Sequence, residues 1–137
     1  MTATDTTTFD PAIHERVQAA LATGGVVDIT TRGRRTGEPR RIEIVFFNLG
    51  GRVAISGMPG KRGWYANLLA DPNFIFHLKS GVTADLPATA RPITDDAERR
   101  AFLAPITRQW RREAQFERFL ADSPLVEVTF EDASLAA

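Results

Sequence analysis

Arg41 to Ser56 reads RIEIVFFNLGGRVAIS, and no other run limits the fold of this chain as strongly. Ile42, Ile44 and Phe46 alternate with Arg41, Glu43 and Val45, the period of a strand with one apolar face. Asn48-Leu49-Gly50-Gly51 then supplies turn residues before a second β-branched run, RVAIS. The segment predicts a β-hairpin.

Further strands flank it. VVDITT, from Val26, is short and β-branched. NFIFHLKSG and VTADLPATARPI read as two strands around a turn at Ser80-Gly81, with Pro87 marking an edge or bulge. LVEVTF, after Pro124, predicts a last strand that pairs back into the sheet. Asp10-Pro11 predicts a helix start, and Ile13, Val17, Ala20 and Leu21 share one face before Gly24-Gly25 ends the helix. WYANLLADP predicts a short helix stopped before Pro72. Thr94 is the expected cap of a long helical region with Asp95, Asp96 and Glu98 in its first turn. Pro105 is expected to kink or divide it, because it cannot donate the intrahelical hydrogen bond. Ile106, Trp110, Ala114 and Phe116–Leu120 continue as an apolar stripe. About six strands and three helices make an α+β, mainly β domain, built on an antiparallel sheet or small barrel.

Length and composition bound the rest. The 137 residues suffice for one domain with a core, read here as 9–137, after a loose polar tail over 1–8. Lys+Arg and Asp+Glu are equal at 17 each, so no global field draws the chain to nucleic acid or anionic membrane. There is no cysteine, which excludes disulfides, thiolate metal sites and cysteine nucleophiles. The opening MTATDTTTFD lacks the basic and apolar regions of a signal peptide, so a cytoplasmic protein is expected.

Against that balance, TTRGRRTGEPRR (Thr30–Arg41) concentrates five arginines and two glycines in twelve residues. A solvated basic turn is the simpler account. The functional one is an anion pocket, in which Gly33 and Gly37 admit close backbone approach and Arg34, Arg35 and Arg40 fork onto phosphate or carboxylate oxygens. The spacing is not that of a Walker loop, and the basic helix or aromatic platform of a nucleic-acid binder is missing. SGMPGKRGWYANL forms a second candidate, with Lys61 and Arg62 at a helix start and Trp64 and Tyr65 able to stack on a flat ring. The bland alternative seats Trp64 and Leu68 on the core. His14 is expected to be solvated and His77 to cap a strand face; two isolated histidines do not make a metal site. Without a Gly-x-Ser-x-Gly elbow or a Ser-His-Asp set, any enzymatic chemistry points to a borrowed cofactor.

Taken in order, ITTRGRRTGEPR, a hairpin ending GGRVAIS, and GWYANLLADP followed by a strand resemble the deazaflavin-dependent nitroreductase and F420H2-dependent quinone reductase family. The family pattern is TTxGRxTGxPR, a GGR-containing strand and a WYxNLxANP helix. The match runs from about Val26 to Ile93, and the acidic helix start TDDAERR also fits. The resemblance implies a split β-barrel, similar to flavin-binding pyridoxamine-phosphate oxidases, and binding of coenzyme F420, a deazaflavin with a phosphate and an acidic tail. It implies hydride transfer to quinones, nitroaromatics or other activated unsaturated acceptors.

Carried over by position, Arg34, Arg35, Thr36, Gly37 and Arg40 would lie near the phosphate and tail, and Ile29 and Thr30 beside the ring. Ser56, Gly57 and Met58 would line the opposite strand end; Gly63, Trp64, Tyr65 and Asn67 would stand at the helix start. Lys61 or Arg62 would replace a lysine that the family carries soon after the strand, where this chain has Met58-Pro59-Gly60. Ser56 and Tyr65 are the candidate proton donors, and Trp110 and Phe116 stand in for tyrosines of the family's acceptor pocket. The implied partners are a small-molecule electron acceptor, a second copy in a homodimer, and a membrane surface met through a lipid quinone. FMN is the alternative cofactor, and a non-catalytic barrel for a flavin, haem or lipid the alternative function.

Overall fold

A computed structural model describes residues 10–136; the tail expected over 1–8 lies outside the described residues. Helix α1 (Pro11–Thr23) begins as its sequence dictates, with the Asp10 carboxylate accepting from the Ile13 N–H at 3.0 Å and proline at its first position. Strands β1 (Gly25–Arg32), β2 (Pro39–Leu49) and β3 (Arg52–Ser56) follow, then α2 (Gly63–Ala70), β4 (Asn73–Leu78) and β5 (Ala84–Pro92). Helices α3 (Asp96–Gln109) and α4 (Phe116–Asp122) precede β6 (Leu125–Phe130), with short 3-10 turns at Glu113–Gln115 and Ala133–Ala136.

All six strands pair antiparallel and close into a barrel in the order β1-β2-β3-β6-β5-β4. Closure leaves no sheet edge for Pro87 to mark. Its carbonyl accepts from Glu131 beyond the end of β6, so its missing N–H points where the β5–β6 ladder has already stopped.

Two apolar clusters result. Inside the barrel Phe46, Phe76 and Phe130 meet edge to face at 5.0 and 5.1 Å, with Ile29, Ile55 and Leu86 around them and Val17 and Leu21 of α1 against them. The second cluster lies between the barrel wall and the C-terminal helices: Phe47, Ala54 and Leu125 face Phe102, Leu103, Ile106 and Phe119. This cover explains why Val45-Phe46-Phe47 loses the alternation of Arg41–Ile44: from there β2 is apolar on both faces.

Two expectations for the C-terminal region are corrected. The cap of α3 is Asp95, whose carboxylate accepts from the Glu98 N–H at 3.0 Å, and not Thr94. Ile93 still donates its N–H to Leu125 of β6, which carries the extended chain one residue further than the sequence suggests. Pro105 does not divide the helix; α3 continues to Gln109, held by Phe102, Leu103 and Ile106 on the second cluster. The division falls at Trp110–Arg112, where Arg111 takes a φ of 56°, and it separates α4 as a fourth α-helix.

Candidate active site

The arginine segment is split by its partners. Arg41, outward on β2, pairs with Asp28 at 3.1 Å, and Arg32 lies 3.7 Å from Asp71. Arg34, Arg35 and Arg40 have no carboxylate partner among the described residues. They stand at the connection of β1 to β2, which is too short for rotational freedom: the Gly33 N–H reaches the Glu38 carbonyl and the Gly37 N–H the Gly33 carbonyl, both at 2.8 Å. Gly33 is buried, and a side chain there would come within 3.2 Å of the Glu38 carbonyl and the Thr36 hydroxyl. Its glycine is therefore needed to close the turn. Gly37 supplies the left-handed φ of 75°.

Helix α2 fixes this loop from the side. The Asn67 side-chain oxygen accepts from the Arg34 backbone N–H at 3.1 Å and from its Nη1 at 2.9 Å, while Asn67 Nδ2 donates to the Thr31 hydroxyl at 3.1 Å. The open cavity beside them, of about 290 Å³, is lined by Thr31, Gly33, Arg34, Arg35, Thr36, Arg40, Ile42, Gly63, Trp64 and Asn67. Among the described residues no side chain caps the start of α2, and its first residues, Gly63 and Trp64, form part of that wall. Guanidinium groups without a carboxylate partner among the described residues and a helix start without a side-chain cap there give the cavity a positive potential suited to an oxygen-rich anion. A larger cavity, about 730 Å³, meets the same loop at Arg32, Gly37 and Pro39, but its only arginine faces the carboxylate of Asp71, and Glu131 adds another. Size alone would choose that one; charge selects the smaller for an anion.

The family's sequence model decides the assignment: F420H(2)-dependent quinone reductase matches residues 8–128. The chain belongs to that family. Solved structures agree on the fold. A Listeria innocua protein described as a pyridoxamine 5'-phosphate oxidase superposes with a TM-score of 0.67 at 11% identity, over 87% of this chain and 94% of its own. An F420-H2 dependent reductase gives 0.53 at 17%, over 76% and 93%. A heme binding protein from Mycobacterium smegmatis gives 0.63 at 15%, over 90% and 53%.

For a quinone reductase of this family the cofactor is coenzyme F420, and the residues present fit its anionic end. The 290 Å³ cavity lies at the lower limit of small-molecule pockets, so it matches the phosphate end and not the whole coenzyme. Arg34, Arg35, Thr36, Arg40, Gly63, Trp64 and Asn67, expected at the cofactor, do converge on it.

The other expected residues lie elsewhere. Ile29 is fully buried inside the barrel, whereas Thr30 bonds to His77 and borders the larger cavity. Gly37 borders the larger cavity. Ser56 is 2% exposed and donates to the Pro124 carbonyl at 2.7 Å. Gly57 is half-buried between Pro124 and Trp64, and Met58 is exposed. Lys61 and Tyr65 line a third cavity, of about 470 Å³, on the side of α4. Trp110 and Phe116 pack on the second apolar cluster, Trp110 edge to face with Phe47 at 5.2 Å. Thr31 and Ile42 were not expected in the site. The strand period gave the signal: Val27, Ile29 and Thr31 share the inner face of β1, and Ile42 is the partner of Ile29.

Proposed function

We propose that this F420-dependent oxidoreductase binds the coenzyme's phosphate in the Arg34–Arg40 cavity and reduces quinones, nitroaromatics or similarly activated unsaturated acceptors. One observation carries the reading: of the arginines in Thr30–Arg41, those without a carboxylate partner are the ones that line a cavity beside an uncapped helix start.

When bound, the reduced deazaflavin supplies a hydride. The chain supplies binding and orientation. Arg34 is already held by Asn67, so little side-chain entropy is lost when it meets an anion; Arg35 and Arg40, exposed and without an ion pair among the described residues, add charge at the mouth. Thr31 and Ile42 give the cavity its floor, polar on one side and apolar on the other. The adjoining cavity shares Thr31 and offers Phe74, Pro87, Ala88 and Phe130, an apolar lining suited to a neutral ring acceptor.

The experiment is a fluorescence titration of coenzyme F420 against wild type and an Arg35→Ala/Arg40→Ala variant, with melting curves for both. A charge-assisted hydrogen bond is worth about 1.5–3 kcal/mol, so the dissociation constant should rise about tenfold or more. The melting temperature should stay in place, because both residues are exposed and make no ion pair among the described residues. An unchanged dissociation constant would reject the site. Turnover with menadione and with a nitroaromatic then tests the acceptor class.

A further inference from the structure

The third cavity lies where the C-terminal end of α4, the Gly57–Arg62 loop and the start of α3 meet. The Gly60 N–H donates to the Asp122 carbonyl at 3.0 Å and stitches loop to helix. Arg99 forms part of the lining. Its Nε donates to the Leu120 carbonyl at 3.0 Å, Nη1 to Ile93 at 2.9 Å, and Nη2 to Phe119 at 3.3 Å and Ser123 at 2.8 Å. Every one of these acceptors is a backbone carbonyl. A helix C-terminus offsets about half an elementary charge. The half-buried Arg99 guanidinium makes no ion pair among the described residues.

A second orphan stands beside it. Ser123 is 5% exposed, lines the same cavity, and its hydroxyl has no hydrogen-bond partner among the described residues. Buried polar groups without partners are costly and uncommon in folded proteins. At the rim Lys61 and Arg118 make no ion pair among the described residues, and Asp122 is the one carboxylate in the lining. Three cations against one carboxylate, with a hydroxyl lacking an acceptor, describe a receptor for oxygen-rich anions.

We propose that this cavity is a second anion site, separate from the arginine-loop cavity, that takes a small molecule or group bearing several carboxylate or phosphate oxygens. Lys61 and Arg118 pair with it, the buried Ser123 hydroxyl rotates to donate to it, and Arg99 supplies the fixed field beneath. The ligand is either a free polyanion or the acidic tail of a coenzyme held on the far side of the Trp64–Tyr65 pair, whose rings meet at 5.9 Å.

The first arm of the test uses no coenzyme. Citrate and inorganic pyrophosphate are titrated calorimetrically into wild type, Lys61→Gln/Arg118→Gln, Arg35→Ala/Arg40→Ala and Ser123→Ala. Saturable binding in wild type, weakened about tenfold or more in Lys61→Gln/Arg118→Gln and unchanged in Arg35→Ala/Arg40→Ala, is the expected result. Ser123→Ala should bind more weakly while its melting temperature without anion stays level or rises, since the substitution removes an orphaned hydroxyl. The second arm compares F420 with its tail-less form. If Lys61→Gln/Arg118→Gln weakens only the full-length coenzyme, the tail is the ligand; if it weakens neither, the ligand is the free polyanion of the first arm. The proposal is overturned if neither probe saturates up to about 10 mM and both coenzyme forms ignore the rim substitutions. It is also overturned if the arginine-loop variant, and not the rim variant, loses the probes.

Discussion

Asn67 holds Arg34 twice through one oxygen, at the backbone N–H and at Nη1, and its amide nitrogen ties both to Thr31. Asn67 is 6% exposed, so its amide acts chiefly as the mount of the arginine loop. Asn67→Ala should cost about 1–3 kcal/mol of stability by orphaning buried groups, and it should weaken F420 as well. Asn67→Asp keeps the shape and the acceptor but adds a negative charge to an anion cavity. It should therefore hurt coenzyme binding more than Asn67→Ala while perturbing the fold less. Paired denaturation and F420 titrations check this; equal coenzyme affinities for the two variants would refute the positioning role.

Four charged residues join α3 to the barrel. Arg52 of β3 reaches Glu127 at 2.8 Å and Glu98 at 3.1 Å, and Arg91 of β5 reaches the same carboxylates at 2.7 and 2.6 Å. Arg52 also stacks 4.7 Å over Phe102, so the network closes over the second apolar cluster. Hydrogen bonds from Arg52 hold the Glu127 carboxyl below the ordinary glutamate value of 4.5, and those from Arg91 do the same for Glu98. Carboxyls depressed in the folded state stabilise it above the unfolded value and lose that contribution as pH falls through the folded value. Melting temperature should drop below about pH 4.5 and go on falling as the pH is lowered further through the depressed folded values. Glu127→Gln should start lower at neutral pH and flatten that acid limb; an unflattened limb would assign the acid sensitivity to other carboxylates.

Local chemistry made much of this fold readable. The Asp10-Pro11 cap, the Asn48–Gly51 turn and the apolar faces of α1 and β1 depend on neighbours in sequence, and the structure has them where the patterns put them. What stayed hidden depended on distant partners. TTRGRRTGEPRR does not announce that Asp28 claims Arg41 and Asp71 claims Arg32. Ser56, at a strand end, looks available until Pro124 folds over it. Thr94 reads as the cap on paper, but the bond from Ile93 to β6 keeps the chain extended past it and the cap falls on Asp95. The candidate site was legible as a set of residue types. Its division into separate cavities was not, because α4 and its loop contacts build the second wall.

His77 illustrates the same limit on the barrel's outer face. Expected to cap a strand face, it is buried, with Nε2 2.7 Å from the Thr30 hydroxyl and Nδ1 2.7 Å from Asp85. A carboxylate only accepts, so Nδ1 carries a proton, and in the neutral ring Nε2 takes the Thr30 hydroxyl proton. Asp85 is 71% exposed, so its share is small, whereas the Thr30–His77 bond is shielded. Urea unfolding should find His77→Ala destabilised by about 2 kcal/mol or more and Asp85→Asn by less than about 1 kcal/mol. A larger loss for Asp85→Asn would make the ion pair, and not the shielded hydroxyl bond, the stabilising contact.

Ser56 and Tyr65 were both candidate proton donors, and their surroundings separate them. The Ser56 hydroxyl is buried and already donates to Pro124, so releasing its proton to an acceptor would break a short bond and open the β3–β6 junction. Tyr65 is half-buried, with its ring edge to face on Trp64, and it lines the third cavity, apart from the apolar one suited to the acceptor. Ser56→Ala should therefore lose about 1 kcal/mol of stability and keep the F420H2-dependent turnover rate. Tyr65→Phe should keep its stability. If the phenol supplies the proton, it should lose about 10²-fold or more in turnover and the solvent isotope effect seen in wild type. Turnover rates in light and heavy water, read beside melting curves, decide it. Should Ser56→Ala slow turnover at an unchanged melting temperature, the hydroxyl must leave Pro124 during the reaction; should both variants keep the wild-type rate, the proton comes from solvent.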